Sequence, residues 1–538
     1  MGFDEDLSKV LTASQPFGPP GSEAMTSSTD VFRKLYVSRN LPHRRAVENK
    51  PSYIIGRRGA GKTTFLIGLS LLDDAQVLPL RSEHIYSEIG RVIKEYSEEV
   101  ASLTADLSCH IWEVVLGHTA ILATVRAVPY APKYQDLWTY VHSFSKEGEK
   151  IELDEYIANV ATQIRRSTLD RSADGSFRTK TQAIVRDGVS YRRAMELLTE
   201  ALEKEQMIVA VVVDNLEDLT STIYSIEEPL RALLRFVART KDSEERIVIP
   251  YRCQFCFPSE LFSKLVGLSA APEKDLRDRM MIQWHAKELL HLVANRLGYF
   301  AAARSRGGAA GLAISITARD LPLHDEDKAI AFLRGFLPKT VRSGLGLDED
   351  PIAYVLRHTQ LIPRQLIEIF NLIFRDWAHH DDPEISADLV LAGVREAEGI
   401  LSSSVMSAYV ADFPFLEKAI ELLRNMIPLT CEVGVMHKAF KESGGSRSGM
   451  DFDSFVEALL TIGALGVWRG STDRYDQAEF AYTLRDTLPV AGDSARVCIH
   501  PLFVRKFHDA SSVAALRAAG QKPVYPRGAD HTEAEYRQ

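Results

Sequence analysis

The sequence has 538 residues, of which 45% are hydrophobic and 25% charged, so it is not a mostly disordered, collagen-like or disulfide-stapled chain, and three or four domains are expected. The formal net charge of −9 argues against a global electrostatic grip on nucleic acid or on an anionic membrane, although it leaves room for a local basic patch. The five scattered cysteines favour a reducing, cytoplasmic location. The most apolar stretch, residues 111–130, is interrupted by Glu113, His118 and Arg126, which predicts a buried helix rather than a membrane span.

The first half of the chain alternates short apolar runs with helical patterns, which predicts a parallel α/β domain over residues 31–297. Buried strands are expected at residues 52–56, 76–80, 207–213, 246–258 and 280–284. Helices are expected at residues 61–72, 85–145 and 189–205, with a helical insertion over about 85–205. Residues 145–185 are polar, and we expect an exposed or mobile segment there.

The second half of the chain is predicted to be helical and to end in a winged helix. A break rich in glycine, alanine and arginine precedes a mainly helical region, which we assign as a lid domain over residues 298–405. Residues 406–515 follow the order helix, helix, helix, hairpin, which is typical of a winged-helix-like domain. Residues 1–30 and 516–538 are expected to be disordered tails, because their composition can bury little apolar surface.

The segment GRRGAGKT, residues 56–63, fits the phosphate-binding loop (P-loop) pattern G-x-x-x-x-G-K-[ST]. Its glycines let the backbone turn tightly and direct N–H groups at phosphate oxygens, and the following helix presents its partial positive end to the same anion. Lys62 brings a positive charge to the β- and γ-phosphates in binding and catalysis, and the Thr63 hydroxyl is a ligand for Mg²⁺. The residues predicted to contact the nucleotide are Gly56, Arg57, Arg58, Gly59, Ala60, Gly61, Lys62, Thr63 and Thr64.

An acidic residue at the end of another buried strand is expected to complete such a site. Asp214 ends the apolar run over residues 207–213 and is the expected partner of Mg²⁺, with a helix N-cap as its alternative interpretation. The next residue, Asn215, carries an amide, which cannot accept a proton from water. Glu217 is therefore our first candidate for orienting the attacking water and Asp218 the second. Alternatively, both are solvated cap residues, and hydrolysis is slow or absent.

These motifs resemble those of the STAND and AAA+-like ATPases of prokaryotes, including the NACHT and KAP branches. The sequence DNLE at residues 214–217 matches their Walker B form, D-x-hydrophobic-D/E. Residues 252–262 resemble the strand that follows Walker B, and residues 281–297 resemble a later strand, a tryptophan and a Leu-rich helix. In residues 357–373 a Pro-Arg pair opens a helix, as in the lid of this family, and Arg364 falls where a sensor arginine contacts the γ-phosphate.

The resemblance implies a molecular switch that binds ATP and Mg²⁺, hydrolyses ATP and regulates a protein effector or sensor, as a homo-oligomer or hetero-complex. By analogy, its role would be prokaryotic defence against phage. Two alternatives from other classes remain, namely a DNA-handling motor or loader and a scaffold that binds nucleotide without turnover. No arginine finger is evident, although Arg235 and Arg239 lie on a predicted helix, and Arg252 is a weaker candidate for a first sensor. Arg364 has an ordinary surface arginine as its alternative interpretation.

The winged-helix region gives little support to DNA binding through its predicted recognition helix. This helix, residues 451–460, carries Asp451, Asp453 and Glu457 and no basic residue. Because phosphate contacts dominate DNA affinity, an acidic helix favours packing or contact with a protein. The basic segment at residues 38–45 is short and lies close to the P-loop in sequence.

Overall fold

The structure is a computed structural model. It describes residues 5–21, 29–35, 51–65, 68, 76–81, 105–128, 130–144, 151–169, 184–186, 188–214, 223–241, 249–259, 262–269, 271–306, 321, 323–375, 377, 385–410, 412–445, 451–481 and 492–529. The chain divides into two compact units, which we call the sheet unit (residues 41–58 and 62–282) and the winged-helix unit (residues 1–40, 59–61 and 283–538). The finer division into tails, lid and winged helix stays a prediction, except where individual elements are described below.

The helices and strands of the described residues are numbered in chain order. The α-helices are α1 (Glu5–Val10), α2 (Thr29–Leu35), α3 (Ala105–Ala127), α4 (Gln135–His142), α5 (Leu153–Leu169), α6 (Tyr191–Lys204), α7 (Ile223–Lys241), α8 (Phe262–Leu268), α9 (Pro272–Asp275), α10 (Ala286–Arg306), α11 (Glu326–Arg334), α12 (Pro351–Arg357), α13 (Pro363–Phe374), α14 (Ala387–Ala408), α15 (Leu416–Leu422), α16 (Val433–Glu442), α17 (Phe452–Thr461), α18 (Val504–Phe507) and α19 (Ala510–Ala518). The strands are β1 (Tyr53–Gly56), β2 (Gln76–Arg81), β3 (Val185–Arg186), β4 (Val189–Ser190), β5 (Val209–Asp214), β6 (Arg252–Pro258), β7 (Arg279–Met281), β8 (Val341–Arg342), β9 (Asp348–Glu349), β10 (Thr430–Glu432), β11 (Leu465–Ser471), β12 (Asp476–Glu479), β13 (Arg496–Ile499) and β14 (Val524–Pro526).

A parallel sheet in the order β2-β5-β6-β1-β7 forms the centre of the sheet unit. Each of its strands falls within or close to a strand predicted from the sequence. The run Val209–Val213 of β5 is buried along its whole length, as expected for a strand covered on both faces of a parallel sheet. The predicted α/β fold is therefore confirmed, with a P-loop directly after β1.

The predicted buried helix over residues 111–130 is confirmed as α3. It packs against α5, α6 and α7, and its side chains Ile111, Trp112 and Ile121 are buried in the core of the sheet unit. None of the helices in the described ranges combines the length and the apolarity that crossing a bilayer requires.

The expectation of an exposed or mobile segment over residues 145–185 is wrong for α5. This helix buries Tyr156, Ile157, Val160 and Ile164, which recur at intervals of three and four residues. Charged residues on both sides of it hid this apolar stripe in the sequence. The helix is instead part of the core of the insertion.

His118 on α3 lies at the centre of an aromatic cluster in this core. Its ring stacks on Tyr191 with 4.6 Å between the centroids, and its Nε2 lies 2.9 Å from the hydroxyl oxygen of Tyr140. Its Nδ1 lies 2.7 Å from the carbonyl oxygen of Val114. Burial lowers the pKa of His118 to about 4, so the imidazole is neutral at physiological pH.

We expect the sheet unit to lose stability on acidification because of His118. An unfolded histidine titrates near 6.5 and folded His118 near 4, so between these values the unfolded chain binds more protons. Stability therefore falls as the pH is lowered through this window, by about 3 kcal/mol at its lower end. Unfolding measured at pH 7, 5.5 and 4.5 should show a weaker pH dependence in His118→Gln than in the wild type. His437→Gln, a substitution in the winged-helix unit, is the control, and an unchanged slope in His118→Gln would contradict the assignment.

The winged-helix unit ends in the element order that the sequence predicts. Helices α15, α16 and α17 precede the antiparallel hairpin β11–β12, and the sheet has the order β10-β13-β11-β12-β14. The region before it is helical and contains α10–α14, interrupted by the short hairpin β8–β9, while the bounds of the predicted lid at residues 298–405 stay a prediction. The α/β P-loop fold is thus followed by a helical region and a winged-helix domain.

Two segments predicted as mobile tails are folded in part. At the C-terminal side, β14 pairs in parallel with β12, and its Val524 and Tyr525 are buried. At the N-terminal side, Phe17 is fully buried, and its main-chain N–H donates to Asn371 Oδ1 at 3.0 Å. The Arg296 guanidinium also donates to the Phe17 carbonyl at 2.8 Å. Each segment therefore buries several apolar side chains, although its composition is typical of a tail; in the N-terminal segment Leu7, Val10 and Leu11 are buried as well as Phe17.

Candidate nucleotide-binding site

The P-loop connects the end of β1 at Gly56 to a helix that begins at Lys62. Strand β1 lies between β6 and β7 and is buried, so the start of the loop is held by hydrogen bonds on both sides. Gly59 and Gly61 have φ angles of +83° and +95°, in the left-handed region that residues with a Cβ rarely adopt. Gly59 and Gly61 therefore have the conformational role predicted from the sequence.

Lys62 is folded back over the loop that precedes it. Its side chain is 5% exposed, and its Nζ donates to the carbonyl oxygens of Gly56 at 2.9 Å and Arg57 at 3.2 Å. These bonds hold the ammonium group beside the loop backbone, where a phosphate anion would meet both this charge and the start of the helix. The contacts fit the predicted role of Lys62 in binding phosphate.

Two carbonyl groups at the tip of the loop accept hydrogen bonds from later residues of the same unit. The Trp284 indole N–H donates to the Ala60 carbonyl at 2.8 Å, and the Arg364 main-chain N–H donates to the Gly59 carbonyl at 3.4 Å. A Cβ placed on Gly59 would lie 2.9 Å from the Cβ of Arg364, so only glycine fits there. The backbone of Arg364 thus contacts the loop tip, while its exposed side chain leaves the predicted sensor role a prediction.

Asp214 is the last residue of β5, as the sequence predicts. Tyr53, Phe255 and Val213 lie in one row across β1, β6 and β5, so the strands that end at Gly56 and Asp214 run side by side with one strand between them. At the usual strand spacing these two strands are about 10 Å apart. Parallel strands end at the same edge of a sheet, which places both residues at its carboxyl edge.

The strand order at this edge is one that is associated with a crevice. From β1 the chain continues to β2 at one side of the sheet, whereas from the neighbouring β6 it continues to β7 at the other. Crevices in open α/β sheets form where the connections from two adjacent strands diverge in this way. The P-loop begins at this point.

The other predicted catalytic and metal-binding residues are only partly within the structure. Asn215, Glu217 and Asp218 lie outside the described residues, so their roles stay predictions. Thr63 is exposed directly after Lys62, and Thr64 is half-buried. Within the described ranges, no group of three or more histidine, cysteine or acidic side chains could hold a metal ion. A hydroxyl from the loop is nevertheless a fitting ligand for Mg²⁺, which binds through few protein groups together with phosphate oxygens and water.

The structure separates the other candidate arginines from the loop or gives them other contacts. Arg252 is the first residue of β6, and Pro258, which lies opposite Gly56, is the last. The chain from Arg252 to Pro258 spans about 20 Å of strand, so Arg252 lies at the opposite edge of the sheet from the P-loop. The interpretation of Arg252 as a sensor is therefore wrong. Arg235 and Arg239 lie on α7 as predicted, and Arg239 hydrogen-bonds the buried thiol of Cys109.

A group of basic side chains that the sequence analysis missed lies at the turn of the winged-helix hairpin and at the nearby β8–β9 turn. We call Arg474, Arg517 and Lys522 the wing patch. Arg474 donates to the carbonyl of Asp348, Lys522 donates to the carbonyl of Thr472 at 2.7 Å, and the Arg517 guanidinium packs against the β8–β9 turn. Because Arg474 lies in the hairpin turn, whereas Arg517 and Lys522 lie at the end of α19 and just after it, no local sequence pattern could reveal the group.

The acidic residues of the predicted recognition helix have an ordinary structural role at its start. Asp451 is the N-cap of α17 and accepts a hydrogen bond from the Ser454 main-chain N–H at 2.9 Å. Asp453 lies in the first turn, where a negative charge suits the helix dipole. The helix itself thus still gives no support to DNA binding.

Several solved structures resemble the chain over most of its length. The ORC2 protein of Aeropyrum pernix, in ADPNP–ADP complexes, is 11% identical with a TM-score of 0.38, over 94% of this chain and 98% of that one. The ORC1 protein of Aeropyrum pernix in complex with DNA is 12% identical with a TM-score of 0.33, over 92% of this chain and 96% of that one. Cdc6p from Pyrobaculum aerophilum is 13% identical with a TM-score of 0.29, over 92% of this chain and 99% of that one.

No protein-family model matches the sequence, and neither does any curated protein. The TM-scores are low, so the fold assignment rests on the strand order, register and loop geometry described above.

Proposed function

We propose that the chain is a P-loop ATPase of AAA+-like type, which binds and hydrolyses ATP. The proposal is carried by one observation: the Lys62 ammonium group donates hydrogen bonds to the carbonyls of Gly56 and Arg57. These residues belong to a glycine loop that connects β1 to a helix. In this geometry Lys62 neutralises phosphate charge, and loop N–H groups orient the phosphates. Bound Mg²⁺, held by Thr63 with Asp214 as its acidic partner, would supply further charge neutralisation. Glu217 or Asp218 would orient the attacking water.

The downstream role that best fits the described surface is DNA handling, as in a motor or loader. The wing patch supports this candidate, because it places two basic side chains at the turn of a winged-helix hairpin and a third at the β8–β9 turn, which Arg474 contacts. Phosphate contacts supply most nonspecific DNA affinity. The acidic start of α17 supports the alternative, a switch of STAND type that regulates a protein effector and acts in defence. A nucleotide-binding scaffold without turnover is a third candidate, supported by Asn215 after Asp214.

We expect ATP hydrolysis that duplex or single-stranded DNA stimulates, with an effect that declines as salt is raised. Phosphate release by the purified full chain would be measured without DNA and with each form of DNA over a salt series. The variant Arg474→Ala/Lys522→Ala should weaken DNA binding and reduce the slope of log affinity against log salt by about 2. The variant Lys438→Ala/Lys441→Ala, on α16, is the matched control.

Each contrary outcome points to one of the other candidates. Hydrolysis that DNA leaves unchanged would favour the switch, and the search would turn to protein triggers. Bound nucleotide without any phosphate release would favour the scaffold. Stimulation by DNA that both double variants reduce equally would move the DNA-binding surface away from the wing patch.

A further inference from the structure

Trp284 follows β7 closely in the chain and contacts the P-loop residue Ala60. Met281 at the end of β7 lies opposite Ile55, and the Ile282 N–H donates to the Ile55 carbonyl at 2.7 Å. Trp284 follows two residues later and is 7% exposed. A buried indole N–H requires a hydrogen-bond acceptor, and the Ala60 carbonyl provides one at 2.8 Å.

This hydrogen bond fixes the direction of a loop N–H group. In a trans peptide the C=O of one residue and the N–H of the next point in opposite directions. With the Ala60 carbonyl directed at the indole, the N–H of Gly61 must face away from Trp284. The contact between the Gly59 carbonyl and the Arg364 N–H orients the preceding peptide in the same manner, so the N–H of Ala60 faces away from Arg364.

The directions of two successive loop N–H groups are thereby fixed. Gly61 has a φ of +95° and no side chain, so without an external contact its peptide could rotate at little cost. Fixing the peptides before the ligand arrives avoids an ordering cost on binding. Trp284 lies 224 residues from Ala60 in sequence and supplies this constraint from outside the loop.

We propose that Trp284 is a positioning residue for the phosphate cradle: its indole N–H fixes the Ala60–Gly61 peptide so that the Gly61 N–H donates to a phosphate oxygen. The ligand class is a polyphosphate chain, which ATP and ADP share. The inference rests on the proposed nucleotide-binding function and adds a residue outside the P-loop to it. Trp284 does not touch the reacting atoms and acts through the backbone of the loop.

The test compares Trp284→Phe with the wild type in the full chain. Phenylalanine retains the aromatic packing and removes the N–H donor, so polyphosphate affinity should fall by roughly fivefold, as expected for one hydrogen bond. Calorimetric titrations with ATP, ADP and inorganic tripolyphosphate should show the same loss of affinity, because the lost hydrogen bond acts on the phosphates and not on the base or the sugar. The melting temperature without ligand should stay close to that of the wild type.

The matched control is Trp377→Phe. Trp377 is also buried in the winged-helix unit, with ring centroids 5.4 Å from Phe336 and 5.5 Å from Phe374. Its substitution should alter the melting temperature and leave polyphosphate affinity unchanged. Equal affinity in Trp284→Phe and the wild type would overturn the inference, as would equal losses in both variants. Absence of binding to the wild type would instead overturn the proposed function, and the inference with it.

Discussion

Replacing Lys62 with alanine should reduce the affinity for ATP and ADP by roughly a hundredfold. The ammonium group is held beside the loop by the carbonyls of Gly56 and Arg57, and it is the positive charge that a bound phosphate would contact. Loss of its charge-assisted hydrogen bonds should cost about 3 kcal/mol of binding free energy. Calorimetric titration of the full chain with each nucleotide measures the effect.

The fold should survive this substitution, which makes the result interpretable. Alanine is a good helix former at the start of the helix after the P-loop, and it removes a buried charge together with its desolvation cost. The melting temperature without nucleotide should therefore change little. Lys438→Ala, on a side chain that is 78% exposed, is the control and should bind normally. Full affinity in Lys62→Ala would show that nucleotide binds elsewhere or not at all.

The largest loss of stability is expected from Arg357→Met. The guanidinium of Arg357 at the end of α12 makes a bidentate ion pair with Glu349, with N–O distances of 2.9 and 3.1 Å, and both residues are buried. The Tyr525 hydroxyl donates to the same carboxylate. Burial acts to raise the pKa of Glu349, but the charge of Arg357 and these hydrogen bonds hold it below its ordinary value.

Removing one partner of this pair leaves the other charged and buried. We expect Arg357→Met to lower the free energy of unfolding by about 3–5 kcal/mol, measured by denaturant titration of the winged-helix unit within the full chain. The double variant Arg357→Met/Glu349→Leu should recover part of the loss, since no uncompensated charge remains.

An exposed pair of the same geometry provides the comparison. Arg375 and Glu396 also form two N–O contacts, at 3.0 and 3.1 Å, but their side chains are 46% and 44% exposed. Arg375→Met should cost less than about 1 kcal/mol, because water solvates the carboxylate that is left. Equal losses in the two single variants would mean that burial does not determine the strength of the Arg357 pair.

Local patterns in the sequence were enough to predict the parallel sheet and the P-loop. A buried strand, a glycine turn and the start of a helix are defined by adjacent residues, and the conformations of Gly59 and Gly61 follow from their type. The contacts that complete the site were not predictable in this way. Phe17 meets Asn371 across 354 residues, and Trp284 meets Ala60 across 224, and no periodicity in one segment encodes a partner so distant.

The wing patch and α5 were missed for two different physical reasons. The basic residues of the patch come from separate segments, so net charge counted along the chain cannot show them together. In α5 the apolar stripe was present in the sequence, but the charged residues on either side of it dominated the composition of residues 145–185. Composition averages over faces of a helix, whereas burial depends on one face alone.

The winged-helix unit is assembled from segments that are far apart in the sequence, and this has a consequence for protein synthesis. The described core of the sheet unit lies between residues 51 and 282 and can begin to fold as soon as this stretch leaves the ribosome. The hydrogen bond of Phe17 cannot form until Asn371 has been synthesised, and that of Glu349 cannot form until Tyr525 has been synthesised. At 5–20 residues per second, the roughly 240 residues between Ile282 and Tyr525 take about 12–50 s to translate. The contacts of Trp284 and Arg364 with the P-loop can form only within that interval, so a nascent chain completes its candidate phosphate site after its sheet.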